Sequence, residues 1–136
     1  MKDLNELLKA AQDKKTTLKR QLLKSKAQSV VYVIRGIVSQ VSHEYAEFTK
    51  PPHVGHSQDS RTYGMQLNGV YESEVHQIAL NLVYLILDEL GLQNDSEQTA
   101  KIIPMFFPSS GDETIAGNKP RIESIAQYLE ELSSQL

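Results

Sequence analysis

Between Leu4 and Phe48 the chain holds no proline and a single glycine, Gly36, while apolar residues return every three or four positions. An α-helix advances 100° per residue and gathers such positions on one side, so this spacing predicts one long helix, or a helix pair, over residues 4 to 48. Leu4, Leu7, Leu8, Ala11, Leu18 and Leu22 share a narrow stripe. Val30, Val33, Ile34, Ile37, Val38, Val41, Tyr45 and Phe48 share a broader one, rotated by roughly a quarter turn. The phase changes near Ser25 to Ser29. Either the helix breaks there, or one helix leaves one neighbour and enters the core of another. The β-branched run Val30, Val31, Val33, Ile34 also suits a strand, but the period favours a helix.

Lys50-Pro51-Pro52 ends this segment, because proline lacks an amide donor and drives the residue before it out of helical dihedrals. Residues 49 to 70 then read as an irregular loop or a short hairpin turning at Asn68-Gly69, a pair suited to the positive φ angles of a type I′ turn. In a competing reading Asn68 caps the next helix. That helix carries Tyr71, Val75, Ile78, Leu82, Leu85 and Ile86 on one stripe and stops at Gly91, followed by apolar Leu92. A second seam, His76, Leu80, Val83 and Leu87, makes it apolar on two sides, as expected of a central helix or a subunit contact. Asp95 and Gln98 can cap a short helix that Pro104 ends. A loop over residues 104 to 119 leads to Pro120 in the first turn of a last helix, with Ile122, Ile125, Ala126, Leu129 and Leu132 on its apolar face.

The expected fold is therefore mainly α: a small bundle with a long N-terminal helix. At 136 residues and 40% hydrophobic content, one domain can bury its own core. Residues 27 to 136 would form that core and residues 1 to 26 a basic helical extension. There is no cysteine, which removes disulfides, thiolate zinc sites and cysteine nucleophiles. The longest apolar runs, Val30 to Ile34 and Leu82 to Leu87, fall far short of the roughly 20 residues of a membrane span. The N-terminus is polar, without the apolar stretch of a secretory signal, so the cytoplasm is the expected compartment.

Charge is distributed unevenly. Residues 1 to 26 carry eight basic and three acidic side chains, a net +5, whereas the other 110 residues carry six basic and fourteen acidic ones, a net −8. A basic segment invites a nucleic-acid reading through Lys14, Lys15, Lys19, Arg20 and Lys26, since lysines neutralise phosphates and release counterions. On a helix, however, Lys15, Lys19 and Lys26 lie on one side while Lys9, Arg20 and Lys24 lie nearly opposite, and residues 1 to 29 hold no aromatic ring for base stacking. The leucine stripe is compatible with a heptad seam, interrupted at Lys14.

All four histidines lie between residues 43 and 76. Imidazole and carboxylate suit zinc, iron or manganese, so His53, His56 and His76 with Glu72, or Glu47, define a candidate metal site. No Glu-x-x-His or His-Glu-x-x-His pattern accompanies them on either helix. Ser110-Gly111 to Gly117-Asn118-Lys119 departs from a phosphate loop: its spacer is too long, Pro120 replaces the serine or threonine, and Asp112 and Glu113 oppose an anion.

No specific catalytic pattern emerges. The leading expectation is a non-enzymatic interaction or regulatory protein, a homo-oligomer assembled through helices by His76, Leu80, Val83 and Leu87, with a protein partner favoured over nucleic acid and no cofactor. A small helical metalloprotein, with a hydrolase among the chemistries such a site would suit, and a nucleic-acid-binding regulator are the alternatives.

Overall fold

The computed structural model describes residues 3 to 49, 57 to 108 and 114 to 136. Its elements are five helices: α1 (Leu4–Phe48), α2 (Ser57–Glu74), α3 (His76–Glu89), α4 (Ser96–Phe106) and α5 (Ile115–Ser134). Among the described residues there is no strand.

α1 is unbroken for 45 residues, which at 1.5 Å per residue makes it roughly 67 Å long. Asp3 caps it by accepting from the Asn5 N–H, and the Thr49 N–H closes it on the Tyr45 carbonyl. The phase change at Ser25 to Ser29 is thus a change of surroundings within one helix. Its core side is Leu23, Ala27, Val31, Ile34, Val38 and Val41. These positions sit roughly 150° around the helix from the leucine stripe, a wider offset than the quarter turn read from sequence, because Val33 and Phe48 prove exposed.

α2 and α3 run back along α1. Tyr63 packs on Tyr45 with ring centroids 5.5 Å apart, Gln66 donates to Glu44, and Arg20 donates to Glu89 at the far end. α4 returns and α5 descends: Tyr128 of α5 donates to Gln98 of α4 at 2.7 Å, and Arg35 of α1 meets Glu130 of α5 at 2.7 Å. The result is an up-down-up-down bundle whose second limb is divided at Val75. α1 and α5 form its most extensive contact, and the buried face of α5 is Ile122, Ile125, Ala126, Leu129 and Leu132, each at most 2% exposed. Burying one of these isoleucine or leucine side chains contributes about 1.5–3 kcal/mol.

Several boundaries differ from the sequence reading. Residues 57 to 70 are helix, not loop or hairpin. Leu67 and Tyr71, one turn apart, are both fully buried, and Asn118 of α5 donates to the Gly64 carbonyl. That packing outweighs the cost of about 1 kcal/mol that each helical glycine imposes. The helix expected from residue 71 instead begins on the other side of Asn68, and Val75 (φ −114°) forms its joint with α3. Backbone bonds Val75 to Tyr71 and Ala79 to Val75 carry across.

Neither proline falls where its lost donor would be free of consequence. Pro104 lies inside α4, which continues to Phe106. Pro120 lies inside α5, which begins five residues earlier because Thr114 caps it through the Gly117 N–H at 3.1 Å. Residues 117 to 119 are therefore helical, which removes the phosphate-loop geometry. Gly91, at φ +72°, and the Leu92 to Leu87 backbone bond close α3 as a Schellman motif, as expected.

Candidate functional site

The bundle leaves one part of α1 without neighbours. Every residue from Asp3 to Lys19 is exposed, and Leu23 is the first buried position. The segment preceding the Arg20–Glu89 contact therefore projects by roughly 25 Å at helical rise. It carries Leu4, Leu7, Leu8 and Leu18, and Leu22 continues their face just past the contact, all five between 50% and 67% exposed. Isolated exposed leucines are ordinary, but five on one helix face constitute a patch.

The face continues past the projection. From Leu4, alternating steps of four and three residues pass through Leu8, Ala11, Lys15, Leu18 and Leu22, then Ser25, Ser29, Tyr32 and Gly36, and every one of these positions is exposed. Tyr32 is 81% exposed. Sustained 3.5-residue spacing is the geometry of a coiled-coil seam, here with small residues in its second half. Beside it α3 contributes Ile78 and Leu85, both about half exposed. With Ser25, Ser29, Val30 and Leu82 they line a groove of about 450 Å³.

Two of the cations read as a binding set are occupied. Lys19 Nζ and Arg20 Nε each lie 3.2 Å from a different oxygen of Glu89. These two hydrogen bonds, Lys19 first, hold the Glu89 carboxyl below its ordinary value. Lys14, Lys15 and Lys26 are exposed on α1.

The seam expected to mediate self-association is interior. Leu80, Val83 and Leu87 are 7%, 0% and 2% exposed and belong to the monomer's own core. The sequence had correctly shown α3 to be apolar on two sides. It is the stripe with Ile78 and Leu85 that partly faces outward, because α1, α2 and α5 together cover the other.

His76 is half-buried on that interior side, between Tyr71 (ring centroids 5.3 Å) and Phe106 (5.5 Å). Its Nδ1 is 3.1 Å from the Tyr71 hydroxyl. Burial lowers the His76 pKa, with nearby Glu72 opposing and Arg121 reinforcing the shift, while burial raises that of Tyr71. Both shifts favour the neutral forms of the two rings, which share one hydrogen bond whose direction follows the imidazole tautomer. Next to it Arg121 donates to the Met105 carbonyl at 2.9 Å and to Asn68 Oδ1 at 2.8 Å, fastening α5 to α4 and α2. Sequence periodicity did not single out Arg121, because a lone arginine beside a core stripe looks like a solvated charge.

His53 and His56, two of the candidate metal ligands, lie outside the described residues, while Glu72 is exposed. Among the described residues no three histidine, aspartate or glutamate side chains cluster as a metal site would need. His43 is exposed on a separate cleft of about 880 Å³ between α1 and α5, with Arg35, Lys119 and Glu123 above Ile34 and Val38. The Ser42 hydroxyl there is buried and makes no hydrogen bond among the described residues. Charges of both signs line this cleft, which therefore presents no single electrostatic preference.

Among the described residues no helix is long and apolar enough to cross a membrane. Comparison of the chain with protein-family models, with curated proteins and with solved structures gives no match.

Proposed function

We propose that this chain is a non-catalytic interaction protein, self-associating through helices and presenting the assembled surface to a macromolecular partner. One observation carries the reading: a leucine face on a helix that outreaches its own bundle, opposite the side that builds the core. Folding of the monomer leaves that face uncovered, and hydrophobic burial there becomes available only by association.

The helix that bears the face is held in place. Glu89 binds Lys19 and Arg20 where α1 leaves α3, so the projecting turns extend from a fixed root. A rigid, preformed helix loses less conformational freedom on binding than a disordered arm does.

Sedimentation equilibrium of untagged protein tests this directly. The wild type is expected to associate, and Leu18→Glu with Leu22→Glu to weaken association at least tenfold while circular dichroism keeps its helical signature. A wild type that stays monomeric at about 100 μM, a concentration that would populate even weak complexes, overturns the reading.

A further inference from the structure

Resting on that association reading, we infer that the partner on the α1 face is a second copy of this chain, laid antiparallel, with a twofold axis midway between Leu18 and Leu22. A twofold interface must be self-complementary, each residue meeting the partner position reflected through the axis. The exposed seam satisfies this position by position. Leu18 of one copy meets Leu22 of the other at the centre. Moving outward, Ala11 meets Ser29, both small, and Leu8 meets Tyr32. At the ends Leu4 meets Gly36, where an added Cβ would find nothing within 4 Å beyond the adjoining backbone of its own helix. Large side chains thus alternate with close-packed small ones along a contact of roughly 48 Å. That length, with the exposed leucines and tyrosine on both sides, brings the contact to the order of 800 Å² per partner found in standard interfaces.

Charge sets the direction. A parallel, in-register pair would place Lys15 against Lys15 inside the seam, bring Lys14 beside Lys19 along its flank and lay two +5 segments side by side. Like charges so placed are unfavourable. In the antiparallel pair Lys15 meets Ser25, and each basic segment lies along the other copy's bundle, which displays exposed Glu74 at the end of α2 and Asp88 on α3. Lys19 approaches its own counterpart near the axis, but Glu89 already pairs with it at 3.2 Å.

The same arrangement completes a site. The groove beside the seam, with Ile78 and Leu85 on its α3 wall, is open in the single chain. The other copy's α1 passes along Ser25 and Ser29 and roofs it. The core side of each α1 faces away from the seam, so each bundle lies mainly behind its own helix.

The absence of native cysteine makes disulfide trapping clean. Ala11→Cys and Ser29→Cys are small changes at exposed positions, and in one helix they stand roughly 27 Å apart, too far to bridge within a chain. On mild oxidation the double variant is expected to give a closed, reductant-sensitive dimer, and each single variant to remain uncrosslinked. Efficient crosslinking of the single variants, which indicates parallel pairing, overturns the inference, as does a ladder of higher species, which indicates head-to-tail contact. Failure of the double variant to crosslink while sedimentation still shows association also overturns it and leaves the association reading standing. A monomer in sedimentation removes both.

Discussion

Arg20 and Glu89 are joined at 3.2 Å across 69 positions of sequence, at the last turn of α3 and the point where α1 leaves the bundle. Lys19 holds the second carboxylate oxygen. Sequence distance this large between partners means that the contact reports the tertiary arrangement itself, and it fixes the root of the projecting helix.

Replacing Glu89 with Gln should loosen that root without unfolding the bundle. The expected result is faster amide hydrogen exchange in α1 around residues 16 to 22, with unchanged protection at Ile125 and Leu129. Because hydrogen bonds from Lys19 and Arg20 lower the Glu89 pKa, the carboxylate favours the folded state above its unfolded pKa. This contribution is lost as pH falls through the lower, folded value, so the wild type and Glu89→Gln should converge in melting temperature below about pH 4.

His76 gives a pH effect in a different window. Its folded pKa is lowered, chiefly by burial, so below about pH 6.5 the unfolded chain takes up the proton more readily. Stability is fully present above that pH and declines as pH falls toward the folded value. Thermal melts between pH 7.5 and 5.5 should show this decline in the wild type, and Tyr71→Phe, which keeps the ring but removes the hydroxyl from Nδ1, should begin from a lower melting temperature. An identical pH slope in His76→Gln would refute the assignment.

The two sides of α1 should separate cleanly in mutational thermodynamics. Ile125→Ala or Leu129→Ala removes a fully buried side chain and is expected to cost about 2–5 kcal/mol in chemical denaturation. Leu18→Ala, at 55% exposure, should stay within about 0.5 kcal/mol of wild type when measured on dilute monomer. Its effect belongs to association, seen as a weaker sedimentation equilibrium.

Most of the architecture is written in the spacing of apolar residues. The α1 core side, the α5 stripe and the Gly91 stop follow from helical period and cap chemistry, which are local. What sequence could not supply is which of two apolar stripes a bundle covers. Leu80 and Ile78 are equally hydrophobic neighbours on α3, yet one is buried and the other half exposed, because the choice depends on where α1, α2 and α5 stand. The same reason hid α2: Gly64, Asn68 and Gly69 argue locally for a turn, and only burial of Leu67 and Tyr71 against α5 overrides them. The leucine stripe was legible from the start as an apolar seam. Its exposure was not, since exposure is a property of the packed chain.

Gly91→Ala tests the one positive φ angle recorded for α3's end. The residue sits at φ +72°, and a Cβ added there would touch nothing, so the cost is purely conformational. It should be about 1 kcal/mol, with no change in the unfolding slope.

Salt dependence separates the two forces acting on the α1 face. Burial of leucines is insensitive to modest salt, whereas attraction between a +5 segment and an acidic bundle is screened. Raising salt from about 0.1 M to about 1 M shortens the Debye length from roughly 10 to roughly 3 Å. If the basic segment of each copy lies along the other's α3, association should weaken over this range while persisting at the upper end, where the apolar seam alone holds the pair. Glu74→Gln with Asp88→Asn, exposed at the end of α2 and on α3, should flatten the salt curve without abolishing association. A curve equally steep in this variant would place the acidic contact elsewhere, and a curve flat in the wild type would leave the leucine face as the sole source of affinity.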